Sequence, residues 1–463
     1  MTVDQIREFD VIVLGAGPAG EVCAGQLAEA GLAVALVEQE LVGGECSFYA
    51  CMPSKALLRP AQALAEARRV AGAAEAATGS LDVPAVLTRR DQIIHDLDDG
   101  AQMPWLEDRE IALVRGHGVI EGERRLRVGE QLLDARRAIV LAPGSGAAMP
   151  PIDGLAEAEP WTNREATTAK AIPGSLLVLG GGVVAAELAQ AYASLGARVT
   201  IVETLDRLIS HEEELASELV REALERDGVD VVLGAKATGA QRDRAAAGGR
   251  GEVTLRLEDG RTLGAEELLV ATGREARTKT LGLGSLGLDG GGPVEVDETL
   301  RVPGFDWLYV IGDANGRVLL THMGKYQARL VAARILGRPH ELRSDGALSP
   351  RVIFTEPQVA AVGHTLASAR AAGLSVRAVD RPLSVAGESF VGHGEPGEAR
   401  IVVDLDRGVL LGATFVGVDV AEWLHAATIA VVGEVPVELL AHAVPAFPTR
   451  SEVWLGLIAG AIG

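Results

Sequence analysis

The chain has 463 residues, more than one hydrophobic core sustains, so two to four domains are expected. Apolar residues make up 48% of it and aromatics only 3%, a composition that suits buried parallel strands layered with helices. With 43 Lys and Arg against 64 Asp and Glu, the net charge of -21 repels nucleic-acid phosphates and anionic lipid, so neither is expected as a partner.

In chain order, the opening MTVDQIREFD is charged and lacks an apolar signal core. No apolar run reaches the ~18 residues of a membrane span, and three cysteines do not make a secreted disulfide framework. The expectation is a soluble cytoplasmic protein. FDVIVL (Phe9 to Leu14) is then predicted as a buried strand. It runs into Gly15-Ala16-Gly17-Pro18-Ala19-Gly20, a helical EVCAGQLAEA, the stop Gly31, and a second strand, LAVALV, ending at Glu38. This is the order of a dinucleotide-binding turn. Gly15 permits the tight turn, Gly17 lets a pyrophosphate approach the backbone, and Gly20 lets helix pack on strand. Glu38 is placed for a ribose hydroxyl pair.

GECSFYACMPSK (Gly44 to Lys55) follows, with Cys46 and Cys51. Pro53 suits a first helical turn, and SKALLRPAQALAEARR continues with helical periodicity that Pro60 is expected to kink. Cys51 is thus expected at a helix N-terminus, where partial positive charge favours a thiolate, with Lys55 four residues on along the same face. Cys46 is able to fold back toward it. No histidine lies near the pair in sequence, so no metal site is expected. Two inert buried thiols remain the other reading. Cys23, inside the first helix, is expected in the core.

The nucleotide pattern then recurs. SLLVL (Ser175 to Leu179) leads into Gly180-Gly181-Gly182-Val183-Val184-Ala185, a helical AELAQAYASL, Gly196, ARVTIV and Glu203. Ala185 is an accepted variant of the third glycine. Glu203 stands where a 2′-phosphate would need a cation, so the second dinucleotide is expected to be NAD(H) rather than NADP(H). Two dinucleotide sites imply electron transfer between two cofactors, one most simply a flavin. Further on, FDWLYVIGDANG (Phe305 to Gly316) is a buried strand ending at Gly312-Asp313, followed by a helix-periodic stretch. Asp313 is open to two readings, helix cap or cofactor ligand.

Taken together, LGAGPAG, GGxCxxxxCxPSK, the second glycine fingerprint, VATGR (Val270 to Arg274), YVIGDANG and FTEPQVAAVG (Phe354 to Gly363) resemble, end to end and in order, the pyridine nucleotide-disulfide oxidoreductases. That group includes dihydrolipoamide dehydrogenase, glutathione reductase and mercuric reductase. The resemblance implies an α/β fold: two Rossmann-like dinucleotide-binding domains, for FAD at about 1–145 with 285–345 and for NAD at about 146–284. A C-terminal α+β dimerisation domain at 346–463 would complete the partner's active site in a homodimer. It implies FAD contacts from Gly15, Gly17, Gly20, Glu38, Gly44, Gly118, Gly144 and Asp313. NAD contacts would come from Gly180, Gly182, Glu203, Ala237 and Gly273. Cys51 would be the flavin-side thiolate and Cys46 the thiol that attacks an acceptor, with Lys55 and Glu187 an ion pair beside the flavin.

The sequence also departs from that family. Its C-terminal HPTxSE signature, in which a His–Glu pair moves protons, reads here Phe447-Pro448-Thr449-Arg450-Ser451-Glu452. Glu452 survives, and Phe447 cannot carry a proton. The resemblance at this one position is to 2-ketopropyl-coenzyme M oxidoreductase/carboxylase, which also has phenylalanine there. His442, five residues upstream, is expected to be structural or on the surface. Phe48, Tyr49 and Ala50 replace the usual residues between the cysteines, and the aromatic pair either lines a hydrophobic substrate site or packs internally. No C-terminal cysteine pair of the mercuric reductase kind is present. The expectation is an NADH-dependent reductase passing electrons through FAD and Cys46–Cys51 to a small-molecule acceptor that needs no strong proton donor: an unusual disulfide, a thioether or an electrophile. The alternatives are a quinone- or dye-type reductase, a dihydrolipoamide dehydrogenase-like enzyme, or a flavin-bound NADH sensor without turnover.

Overall fold

The run Val11–Leu14 is apolar on both sides of its two-residue alternation, which a strand tolerates only between two neighbours with both faces covered. In the computed structural model it lies in β1 (Ile6–Leu14), paired in parallel with β2 (Val34–Glu38) on one side and with a long strand, Gln131–Leu141, on the other. The structure describes residues 6–243, 251–390 and 397–463, so the first five residues of the charged start lie outside it. The chain divides into two compact units.

The first unit takes residues 1–53, 91–147 and 274–346. Its centre is a seven-stranded sheet. From one edge run Ala112–Arg115, β2, β1 and Gln131–Leu141, and the last of these pairs in parallel with Leu308–Val310 and antiparallel with Arg125–Val128. Between β1 and β2 the chain forms α1 (Pro18–Glu29), which starts on a proline whose missing N–H costs nothing at that position. Helix Thr321–Ile335 packs beside α1 through small residues. A Cβ on Gly324 would lie 3.3 Å from Ala19 Cβ, so the two helices approach closely there. One core joins these elements, with Val11, Ile12, Leu27, Leu36, Ile139 and Val331 fully buried. Each such side chain contributes roughly 1.5–3 kcal/mol of burial.

The chain enters the second unit inside helix α3 (Cys51–Arg69), which continues through Pro60 as the periodicity predicts. This unit holds 54–90, 148–273 and 347–463. The second fingerprint sits in a four-stranded parallel sheet ordered Asp230–Val232, Arg198–Val202, Ser175–Leu179, Glu267–Val270. An antiparallel five-stranded sheet is ordered Arg351–Ile353, Gln358–Gly363, Val409–Gly417, Glu398–Asp404, Val376–Pro382. Helices Leu424–Val432 and Val453–Ile462 pack on that sheet. These are the two nucleotide-type α/β sheets and the α+β C-terminal region expected from the sequence. Among the described residues no helix is long and apolar enough to cross a membrane.

Candidate active site

The first glycine turn has the shape its spacing requires. Gly15 has φ +103°, and a Cβ there would lie 2.1 Å from the Ala142 carbonyl oxygen. A Cβ on Gly20 would fall 1.8 Å from the Gly15 carbonyl oxygen, so helix and strand meet there only because residue 20 is a glycine. Gly17 caps α1 in an extended conformation, makes no side-chain cap bond, and has nothing within 4 Å of where a Cβ would be. The first amides of α1 therefore face open space with the positive end of the helix dipole behind them, which is a pyrophosphate cradle. Glu38 is fixed at the end of β2, accepting from the amides of Ala16 and Glu40 at 2.7 Å each. Gly44, with φ +59°, presses on this turn, since a Cβ there would be 2.8 Å from Gly17 Cα.

Asp313 does not act as a helix cap. It sits in the short turn Gly312–Asn315, accepts a hydrogen bond from the Ser145 hydroxyl, and lies 3.8 Å from Arg274 Nε. Arg274 in turn donates to Ser145 Oγ at 2.7 Å. Gly144, just before Ser145, has φ +71° and open space at its Cβ position. Gly118, by contrast, packs inside the sheet, where a Cβ would strike Leu14 and Leu126. The open cradle, the fixed Glu38 and the Ser145–Asp313–Arg274 group fit a dinucleotide such as FAD.

In the second unit Gly180 (φ +109°) turns tightly against the Ala271 carbonyl. Gly182 caps the helix Val183–Ser194, again with open space where a Cβ would be, and Ala185 is buried. Glu203 Oε1 accepts from the Leu205 amide at 2.7 Å, holding a carboxylate beside Gly181. Gly273 (φ +138°) has open space at its Cβ position, and Ala237 is a buried strand residue. This turn fits a second dinucleotide.

Cys46 lies in α2 (Gly44–Phe48), and Cys51 opens α3. Both are free thiols and half-buried. Cys46 is hydrogen bonded to Cys51, and that bond, followed by burial and the charge of Cys51, raises its pKa well above the ordinary thiol value. Two thiols in contact give up their protons one after the other, and here Cys46 is the one that keeps its proton. Thr321 Oγ1, at the start of its helix, is 3.4 Å from Cys51 Sγ. Beside the pair, Glu45 is ion-paired with Arg277 at 2.6 Å. Phe48 is buried and packs beneath Gly43, so it serves the turn's own packing, whereas Tyr49 is half-buried. Cys23 is fully buried in the core, where desolvation pushes its thiol up to about 12 and leaves it inert.

Further along α3, Lys55 Nζ lies 2.6 Å from Glu187 Oε2. Glu187 is almost entirely buried and also accepts from the Phe354 amide at 2.9 Å, while the ammonium sits 4.8 Å from the Phe354 ring centre. The C-terminal segment keeps its glutamate in use. Glu452 Oε1 accepts from the amides of Thr449 (3.0 Å) and Gly387 (3.1 Å). Phe447 is 77% exposed in the subunit, and His442 is exposed too. Among the described residues no group of three or more His, Cys, Asp or Glu is arranged to hold a metal ion.

Sequence reasoning missed Thr321, Ser145 and the Glu45–Arg277 pair. No local pattern marks them, since each meets its partner across more than a hundred residues of chain.

Residues 9–328 match the pyridine nucleotide-disulphide oxidoreductase family, and residues 349–457 match that family's dimerisation domain. The chain is 31% identical over 461 residues to dihydrolipoyl dehydrogenase from Thermus scotoductus, covering 96% of each. It is 28% identical to mercuric reductase from Staphylococcus aureus, covering 96% of this chain and 81% of the relative. Among solved structures, the HOCl-induced flavoprotein disulfide reductase RclA from Escherichia coli superposes with a TM-score of 0.84 at 25% identity, covering 97% of this chain and 99% of RclA.

Proposed function

The chain belongs to the pyridine nucleotide-disulphide oxidoreductase family, whose members contain FAD and use NAD(P)H, and we propose that it is an NADH-dependent dithiol reductase whose acceptor is a thiophilic electrophile. The observation that carries this reading is the contact of Cys46 with Cys51 at the N-terminus of α3, in the same unit as the first dinucleotide cradle. When bound, FAD and NADH would supply the two electrons needed to return an oxidised Cys46–Cys51 pair to the dithiol seen here. The protein's own residues do the rest. The start of α3 favours the thiolate of Cys51, with Thr321 against its sulfur. Cys46, still protonated, must lose that proton before it attacks. Gly15, Gly17, Gly20 and Glu38 bind the first dinucleotide, and Asp313, held by Ser145 and Arg274, fixes it at a second point.

Glu203 supports NADH over NADPH, because its fixed carboxylate would meet the 2′-phosphate. Phe447 supports the choice of acceptor. Reducing a disulfide substrate takes up two protons and requires a donor for the leaving thiolate. Reducing a soft metal ion, or another electrophile that only accepts electrons, releases the thiol protons instead. The match of 349–457 to the dimerisation domain supports a homodimer.

The test is an anaerobic NADH titration of the FAD-loaded protein, with thiols counted by alkylation and flavin followed by its visible absorbance. Two electrons taken up per subunit, with Cys46 becoming alkylatable before the flavin bleaches, is the expected result. Bleaching with no new thiol would sink the dithiol mechanism and leave a direct flavin-to-quinone reductase. With the relay working, Hg(II) or Cu(II) should accelerate NADH consumption far more than lipoamide does, and Cys46→Ser should abolish that acceleration.

A further inference from the structure

The proton that Cys46 holds needs an explanation, because the segment that carries the family's proton-moving histidine offers only Phe447. The helix Thr321–Ile335 suggests one. Its first residue, Thr321, touches Cys51 Sγ. Lys325 is one turn further on, and residues four apart share a helix face, with Cβ atoms about 5–6 Å apart. The face that meets the dithiol therefore carries an ammonium next. Gly324, the neighbour of Lys325, lies against Ala19 of α1. Two residues beyond Ala19, in the first turns of α1, is the half-buried carboxyl of Glu21.

We propose that Lys325 is a positioning residue for the dithiol, its ammonium stabilising the thiolate that Cys46 must become, and that the carboxyl of Glu21 sets how much of this charge the sulfur sees. The electrostatics agree with the geometry. Of the groups acting on Cys46, the Cys51 hydrogen bond and burial hold the proton on, while the Thr321 hydrogen bond and the Lys325 charge work to release it. Burial lifts the Glu21 carboxyl to about 7, against the pull of Lys325 and with a smaller push from Glu38. Below that pH Glu21 is neutral and Lys325 acts on the sulfur uncompensated. Above it, the ionised carboxyl offsets part of the ammonium's charge. The groups that face this cluster are thus Cys51, Thr321 and the Glu45–Arg277 ion pair toward the thiol, and Lys325 and Glu38 toward Glu21. This inference rests on the dithiol reading of the site.

The experiment uses the FAD-loaded protein reduced with dithiothreitol, and follows iodoacetamide alkylation of Cys46 by peptide mass from pH 6 to 9. Lys325→Met should slow alkylation of Cys46 at pH 7 by about tenfold, the effect of one pKa unit, and Lys325→Arg should restore it. Glu21→Gln should accelerate alkylation at pH 8 and leave it unchanged at pH 6. A purely structural role for the pair predicts neither the arginine rescue nor opposite signs for the two variants. Superimposable profiles for wild type and Lys325→Met, or an arginine variant as slow as the methionine one, would overturn the proposal. A parallel sample reduced with NADH separates the two readings. Failure of NADH to expose Cys46 defeats the reductase mechanism, whereas the dithiothreitol series reports on Lys325 alone.

Discussion

Replacing Phe447 by histidine should raise disulfide reductase activity above that of the native chain. A well-placed general acid contributes about 10²–10⁴-fold, which corresponds to about 2.7–5.4 kcal/mol of barrier. The structure argues for the lower end. Glu452, the residue that would orient the new imidazole, already gives its Oε1 to the amides of Thr449 and Gly387, so its carboxylate is rigid and has at most one oxygen for the ring. The substitution itself is mild, because Phe447 is 77% exposed in the subunit and contributes little to its core. Folding stability should change by no more than about 0.5 kcal/mol. The assay is NADH oxidation with lipoamide at saturating NADH, from pH 5.5 to 8.5. Turnover by Phe447→His should exceed wild type by about 10²-fold near pH 6. The gain should fade as pH rises through roughly 6.5, where an unperturbed imidazole loses the proton it must donate. A folded, flavin-loaded Phe447→His protein with NADH-reducible thiols and no gain would show that this position is not what restricts the acceptor.

Three further outcomes are expected. Glu187→Gln keeps the bond to the Phe354 amide but removes the charge facing Lys55. Because Lys55 is 35% exposed and partly screened, the loss should be about 1–3 kcal/mol, read as a lower denaturant midpoint of the FAD-loaded protein. Glu203→Arg should raise the kcat/KM ratio of NADPH to NADH by at least about tenfold, since a repelling charge becomes an attracting one. Unchanged cofactor preference would remove Glu203 from the recognition of the second dinucleotide. Gly44→Ala forces a left-handed alanine, at about 1–2 kcal/mol, and sets its Cβ 2.8 Å from Gly17 Cα. Flavin should then be lost on dialysis several times faster than from wild type, and equal retention would refute the close packing of the two turns.

The parts of this molecule that the sequence made legible are those governed by local rules. Gly15, Gly17, Gly20 and Glu38 announce a strand, turn, helix, strand unit because each is needed within thirty residues of the others, and the second fingerprint repeats the logic at Gly180, Gly182 and Glu203. Pro53 and the periodicity after it likewise place Cys51 at a helix start. Pro60 was harder to read. A proline inside a helix costs a hydrogen bond, yet α3 runs through it, with Leu57 and Leu58 buried against Val86, Leu87, Ala191 and Leu195. That packing outweighs the local preference. Whether Phe48 faces substrate or core was equally undecidable from spacing, because the answer depends on Gly43 leaving room above its ring. Contacts such as Thr321 to Cys51, 270 residues apart, leave no trace in any window of sequence.

The departures from the family pattern concern protons more than electrons. The two glycine turns and the two cysteines keep the types and spacing of the resembled motifs, and Lys55 meets Glu187. What changes is the supply and removal of hydrogen ions. Where the resembled C-terminal signature has a histidine this chain has Phe447, and the opposing influence on Cys46 comes from Thr321 and Lys325. In the proposed arrangement the Lys325 charge favours a thiolate at Cys46, against burial and the Cys51 hydrogen bond. On the proposed reading, such a site makes its nucleophile without a positioned acid for a leaving group, and so favours acceptors that take electrons from sulfur and leave the protons to solvent.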